Sequence, residues 1–103
     1  MRFVSVRHWN SEGMTEGGKQ LIAWVKDFEL MISIDGMYYL DPRSRCFIRE
    51  NHLKSLLRRD VNVLPSTIDS FIRGMKEATV LMAKDDKWRH LIEEVRPTGE
   101  YLK

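Results

Sequence analysis

The residues best suited to chemistry lie in Asn51–Gly74. There a short Leu-rich helix, a break and a second helix opening Pro65-Ser66-Thr67-Ile68 read as a helix-turn-helix. The second helix of such a pair needs small or polar side chains in its first turn, so that its end approaches a duplex and its amides meet phosphate. Ser66, Thr67, Asp69 and Ser70 satisfy that need, and Arg73 and Lys76 follow one and two turns along, with Arg73 in reach of a phosphate or a guanine edge. Lys54, Arg58 and Arg59 fall on the outer side of the preceding helix, and the turn carrying Arg43 and Arg45 offers further backbone contacts. Two features oppose this reading. The connection Asp60–Leu64 exceeds the usual turn of three to four residues, and Asp69 would face a negative duplex. The plainer alternative is two packed helices joined by a loop.

Other chemistries find less in the chain. His8, His52 and His90 are scattered and Cys46 has no neighbour at ligand spacing, so a zinc site would need assembly entirely by tertiary contacts. The acid pairs Asp85-Asp86 and Glu93-Glu94 read as helix positions on a solvated face or beside a helix N-terminus, not as a catalytic dyad. Gly17 and Gly18 precede Lys19, but the spaced glycines and the Ser or Thr of a phosphate loop are missing. Neither an enzymatic activity nor a cofactor or metal is expected. Tyr38 and Tyr39 could stack on unpaired bases, although adjacent strand positions point to opposite faces, which leaves one for the core and one for the surface.

Charge distribution supports a nucleic-acid reading more than net charge does. The total is only +2, yet between Arg43 and Lys76 eight Lys or Arg stand against three acids. Such clustering is a footprint of nucleic acid or simply a solvated helical surface. At 103 residues, with 43% apolar and 31% charged, the chain suits one folded domain and not a disordered one. Apolar runs are too short to span a bilayer and no signal-peptide core follows Met1, so a soluble, cytoplasmic protein of a bacterial or archaeal host, or of an infected cell, is expected. The single Cys46 agrees with a reducing compartment.

These side chains must be positioned by a small set of elements. Phe3–Trp9 alternates as a strand, with Val4 and Val6 on one face and Phe3, Ser5 and Trp9 on the other. Thr15 can cap a helix running to about Phe28, in which Leu21, Val25 and Phe28 form a stripe widened by Trp24, while Gly17 and Gly18 weaken its first turn. Leu30–Ile34 and Met37–Leu40 flank Asp35-Gly36, which predicts a two-residue type I′ hairpin. Asp41-Pro42-Arg43-Ser44 supplies a further turn, and Cys46–Arg49 a third short strand. Asn51 can cap a helix with Leu53, Leu56 and Leu57 inward, ending near Asp60. Ser66-x-x-Asp69 resembles a capping box for a helix whose stripe is Ile68, Phe71, Ile72 and Met75, extending to about Met82. The spacing of Trp88, Leu91, Ile92 and Val95 predicts a last helix from Asp85-Asp86, stopped by Pro97 and Gly99.

The order of a Leu21–Phe28 helix, a Met31–Tyr39 hairpin bearing Asp35-Gly36-Met37-Tyr38-Tyr39, a Phe47 strand and a Leu53–Met75 helix pair resembles a known arrangement. It is similar to the segment preceding the ATPase domain in poxvirus-type helicase-primases of phages, plasmids and large DNA viruses, over roughly Lys19–Trp88. The family's ATPase motifs are absent, so the resemblance implies a detached piece of such a protein or a small phage or mobile-element protein, and carries over no catalytic residue.

The expected architecture is α+β in a single domain: residues 1–49 mainly strands plus one helix, residues 50–96 helical. A small antiparallel sheet with a hairpin packs on helices, and the C-terminal half holds the helix-turn-helix-like pair. The expected function is a non-enzymatic DNA-binding module serving replication or transcription. The DNA-binding set is Arg43, Arg45, Lys54, Arg58, Arg59, Ser66, Thr67, Ser70, Arg73 and Lys76. The alternative is a small protein-interaction module, an inhibitor or adaptor, that binds a larger protein.

Overall fold

The structure, a computed structural model, describes residues 1–101. The described residues form six short strands and three α-helices in the order β1 (Arg2–Ser5), α1 (Glu16–Phe28), β2 (Met31–Ser33), β3 (Tyr39–Asp41), β4 (Cys46–Ile48), α2 (Glu50–Asp60), α3 (Pro65–Lys84), β5 (Ile92–Glu94) and β6 (Gly99–Glu100). A 3₁₀ segment, Asp86–Leu91, joins α3 to β5. The sheet runs β5-β1-β2-β3-β4-β6, antiparallel except for the β4–β6 pair, and the fold class is the expected α+β.

Alternation along the strands sends side chains to two different cores. Val6, Ile32, Tyr39 and Ile48 face the helices and meet Leu21 and Val25 of α1, Leu53 and Leu57 of α2, and Ile68, Ile72 and Met75 of α3. Phe3, Met31 and Leu40 occupy the opposite face with Phe47 and Val95. That second face carries no α-helix of its own among the described residues, yet Phe3 and Leu40 are fully buried. Its cover is the strap between β5 and β6. Those strands form the two edges of the sheet, five spacings apart, or about 24 Å if the sheet were flat. Five residue steps from Glu94 to Gly99 span at most about 18 Å. The sheet therefore curls, and the strap crosses its inner face with Val95 on the Phe3 cluster.

Local signals account for several element boundaries. The Thr15 hydroxyl accepts from Gly18 N at 3.2 Å and starts α1 as expected. Gly17 packs closely there: a Cβ would lie 3.3 Å from Val63 Cγ1, so a larger residue needs Val63 to shift by a few tenths of an ångström. The first strand is shorter than Phe3–Trp9. Ser5 Oγ accepts from Arg7 N and Trp9 N donates to the Val6 carbonyl, so the chain turns before Trp9 and delivers it to α3.

Other expectations are corrected. The hairpin at Asp35-Gly36 is not a two-residue turn, since Ser33 N donates to the Tyr38 carbonyl and leaves four residues in the loop. Side chains replace ladder bonds here: Asp35 Oδ1 accepts from Met37 N at 3.0 Å, and Ser33 Oγ accepts from Tyr38 N at 2.9 Å. Gly36 alone takes positive φ, +75°. The cap of α2 is Arg49, not Asn51, and no side chain caps the backbone there. Ser66 and Asp69 form no capping box, because Pro65 already occupies the first turn and the Leu64 carbonyl receives Thr67 N and Ile68 N. In place of the last helix stand the 3₁₀ segment and β5, so Glu93 and Glu94 are strand residues. The short β6 lies beyond the expected helical half of residues 50–96, at Gly99, where the sequence offers only a helix stop.

The hairpin tip docks on α3, and this makes Gly36 a strong test of the fold. An added Cβ would lie 3.2 Å from Val80 Cγ2 and 3.4 Å from the Lys76 carbonyl, at a φ that β-branched residues avoid. Gly36→Val is expected to cost on the order of 1 kcal/mol or more. An unchanged denaturation midpoint would show that the tip is free of α3.

Candidate functional site

Glu50, at the start of α2, organises the junction where the DNA-binding set was expected to face outward. Its Oε1 accepts from Lys76 Nζ at 2.6 Å and from the Tyr39 hydroxyl at 3.1 Å, while Oε2 lies 3.5 Å from Lys54 Nζ. Lys54 also meets Asp69 at 3.1 Å, so β3, α2 and α3 are tied through one carboxylate. The Lys76 hydrogen bond holds the Glu50 carboxyl below its ordinary value, with the Tyr39 hydroxyl helping against partial burial. Burial, and then the Glu50 charge, push the Tyr39 phenol upward.

A lowered carboxylate pKa contributes stability that is fully present above its unfolded value, near 4.5, and is lost as pH falls through the folded value. Lys76→Met is thus expected to raise the Glu50 pKa and move the acid-unfolding midpoint to higher pH. A carboxyl-carbon NMR titration of Glu50 that does not move in the variant would refute the coupling.

The ten expected contact residues are distributed over several places. Lys54, Arg73 and Lys76 share one depression with Glu50, Asp69 and Glu77, three cations against three anions. Arg59 pairs with Asp60 at 2.7 Å, and Asp60 also accepts the Trp24 indole N–H at 2.8 Å, which together bring its carboxyl to about 2. Arg58 leans on Ser55 Oγ. The turn of Arg43 and Arg45 is elsewhere: Arg43 closes the C-terminus of α1 through the Asp27 carbonyl and Glu29, and the Arg45 carbonyl receives Thr98 N from the strap. Ser66 is exposed at the start of α3, Thr67 is half-buried near Gly17, and Ser70 belongs to a different surface altogether. Tyr39 is in the core and Tyr38 on the surface, 5.5 Å from the Phe47 ring. Among the described residues no three of His, Cys, Asp and Glu are placed to hold a metal ion, and no helix is long and apolar enough to cross a membrane.

The surface that holds Ser70 is an apolar groove along α3, with a volume of about 420 Å³. Trp9 and Met14 form one side; Phe71, Gly74, Ala78 and Met82 of α3 form the other. The Trp9 indole N–H donates to Met82 Sδ at 3.2 Å and pins the loop after β1 to the last turns of the helix. A neighbouring depression joins Val80 and Leu81 to Met37 of the hairpin tip, and Leu81 and Met37 are 68% and 65% exposed.

A sequence signal for this surface exists in Ala78-Thr79-Val80-Leu81-Met82-Ala83, six successive residues without a charge. Successive helical residues are turned by about 100°, so such a run is apolar all round, and helices of that kind are normally covered. The core takes one side only, through Met75 and Thr79. A single stripe along Ile68, Phe71, Ile72 and Met75 accounts for the buried side of the helix and not for this surplus. Compared with known proteins, the chain matches no family model, no curated sequence and no solved structure.

Proposed function

We propose that this protein is a non-enzymatic interaction module that receives a protein partner along α3. The observation that carries this reading is the all-round apolar end of that helix, which lines the Trp9 groove through Phe71, Gly74, Ala78 and Met82 and leaves Leu81 exposed in the depression at the hairpin tip. Methionine and aromatic side chains line the groove, and such side chains adapt to an apolar helix face laid against them. The cations Lys54 and Lys76, by contrast, are engaged by Glu50 and Asp69 within the chain, which weakens the case for a phosphate-binding face.

Selection of helical peptides from a displayed library tests the reading. Amphipathic helices are expected to emerge whose affinity changes little with salt, because an apolar interface is not governed by counterion release. Leu81→Lys should lower their affinity by about tenfold or more, or about 1.4 kcal/mol, without moving the melting temperature. Peptides that bind the variant as well as the parent would exclude α3 as the docking face.

One observation favours DNA as a second reading. Neither Arg58 nor Arg73 takes part in an ion pair among the described residues, and Ser66 is exposed at the amide end of α3. On that reading Arg73→Glu abolishes most DNA affinity and leaves stability within about 0.5 kcal/mol. The absence of any low-salt mobility shift by the parent at tens of micromolar, on duplex or single strand, would eliminate it.

A further inference from the structure

We propose that the partner seated on α3 is a second copy of this chain, the two helices packing antiparallel about a two-fold axis level with Lys76. The inference rests on the reading of α3 as an interface and adds the identity of the occupant. Phe71, Gly74, Ala78 and Leu81 repeat at intervals of three, four and three, the spacing of a seam between paired helices. None of them belongs to the buried side of α3, which is Ile68, Ile72, Met75 and Thr79. Phe71 stands five residues before Lys76 and Leu81 five after; Gly74 stands two before and Ala78 two after. A two-fold pairing therefore sets large against large and small against small, which is the self-complementarity an isologous contact requires.

Gly74 is otherwise unexplained. It lies inside a helix, where glycine costs up to about 1 kcal/mol relative to alanine, and an added Cβ would meet nothing within 4 Å. Opposite Ala78 of the other copy, it lets the two backbones approach while Phe71 and Leu81 fill the flanking space.

Charge agrees with the same register. Arg73 and Glu77 lie on the solvent flank of the seam, and neither forms an ion pair within the chain among the described residues. In the antiparallel pair, Arg73 of one copy comes within two residue rises of Glu77 of the other, about 3 Å along the axis. The reciprocal contact places opposite charges side by side twice. The seam from Phe71 to Leu81 spans ten residue rises, about 15 Å, or half the length of α3.

Sedimentation analysis of the full chain from low to hundreds of micromolar tests the proposal. The parent is expected to dimerise, and Gly74→Arg, whose Cβ would meet nothing within 4 Å in its own chain, to be monomeric with a cooperative thermal melt no lower than that of the dilute parent. Arg73→Glu should weaken the dimer about tenfold, or about 1.4 kcal/mol, and the reciprocal swap Arg73→Glu with Glu77→Arg should restore it. A parent that stays monomeric overturns the proposal; so does a dimer indifferent to Gly74→Arg, or a swap that fails to rescue. Peptide selection then separates the two readings. If the parent stays monomeric, helical peptides that bind it and are lost with Leu81→Lys leave α3 as an interface for a different protein, whereas their absence removes both readings.

Discussion

Deleting residues 95–103 is expected to abolish cooperative folding at ordinary temperature. The strap has no regular helix and only two residues of strand, but it closes the inner face of the sheet. Without Val95 the fully buried Phe3 and Leu40 and nearly buried Met31 face water. The deletion also removes Val95 N to the Met1 carbonyl at 2.8 Å, Thr98 N to the Arg45 carbonyl at 2.9 Å, and Tyr101 N to the Phe47 carbonyl. The Tyr101 ring, 6.0 Å from Phe28 in an edge contact, goes with them. Apolar side chains contribute about 1.5–3 kcal/mol each when fully buried, and hydrogen bonds about 1 kcal/mol net. The combined loss is on the order of 5 kcal/mol, comparable to the whole stability of a small domain. Urea unfolding followed by circular dichroism measures it. A truncated chain that retains a sharp transition near the parent midpoint would show that the curled sheet stands without its strap.

Ile72→Ala is expected to cost about 2–5 kcal/mol, and Phe71→Ala distinctly less despite the larger side chain. Both belong to the apolar stripe of α3, and from spacing alone Phe71 is the natural anchor, worth about 3–5 kcal/mol on truncation. The structure reverses their order. Ile72 is 2% exposed in the core between α2 and the sheet, whereas Phe71 is half-buried at the lip of the groove, where removing its ring enlarges an open depression instead of making a closed cavity. Cavity cost arises when surroundings cannot relax or hydrate, a condition met by Ile72 alone. Equal or reversed losses in the two variants would place Phe71 back in the core. If α3 is the docking face, Phe71→Ala should in addition weaken partner binding more than it weakens the fold.

By itself, the sequence determined what is encoded within a few neighbouring residues. The stripes Leu53, Leu56, Leu57 and Ile68, Ile72, Met75 specify helices and their inward sides because a 3.6-residue period leaves no other way to bury them. Thr15 sets the start of α1, and Gly36 marks a positive φ, because cap and turn chemistry are local. Tertiary structure decided the rest. Trp88, Leu91, Ile92 and Val95 repeat the same helical spacing, yet Ile92–Glu94 is a strand, since the free edge of β1 offers backbone partners and the Phe3 cluster a place for Val95. Lys54 and Lys76 look like outward cations until packing of α2 on α3 brings Asp69 to Lys54 and Glu50 to Lys76 within ion-pair distance; the Glu50–Lys54 pair alone is local, four residues apart on one helix. The groove opposite Trp9 exists only because the chain turns after Ser5 and carries that indole to Met82, 73 residues away. Period and propensity act over one or two turns of helix, whereas edge pairing, charge compensation and grooves depend on residues distant in sequence, whose meeting is set by the packing of the whole domain.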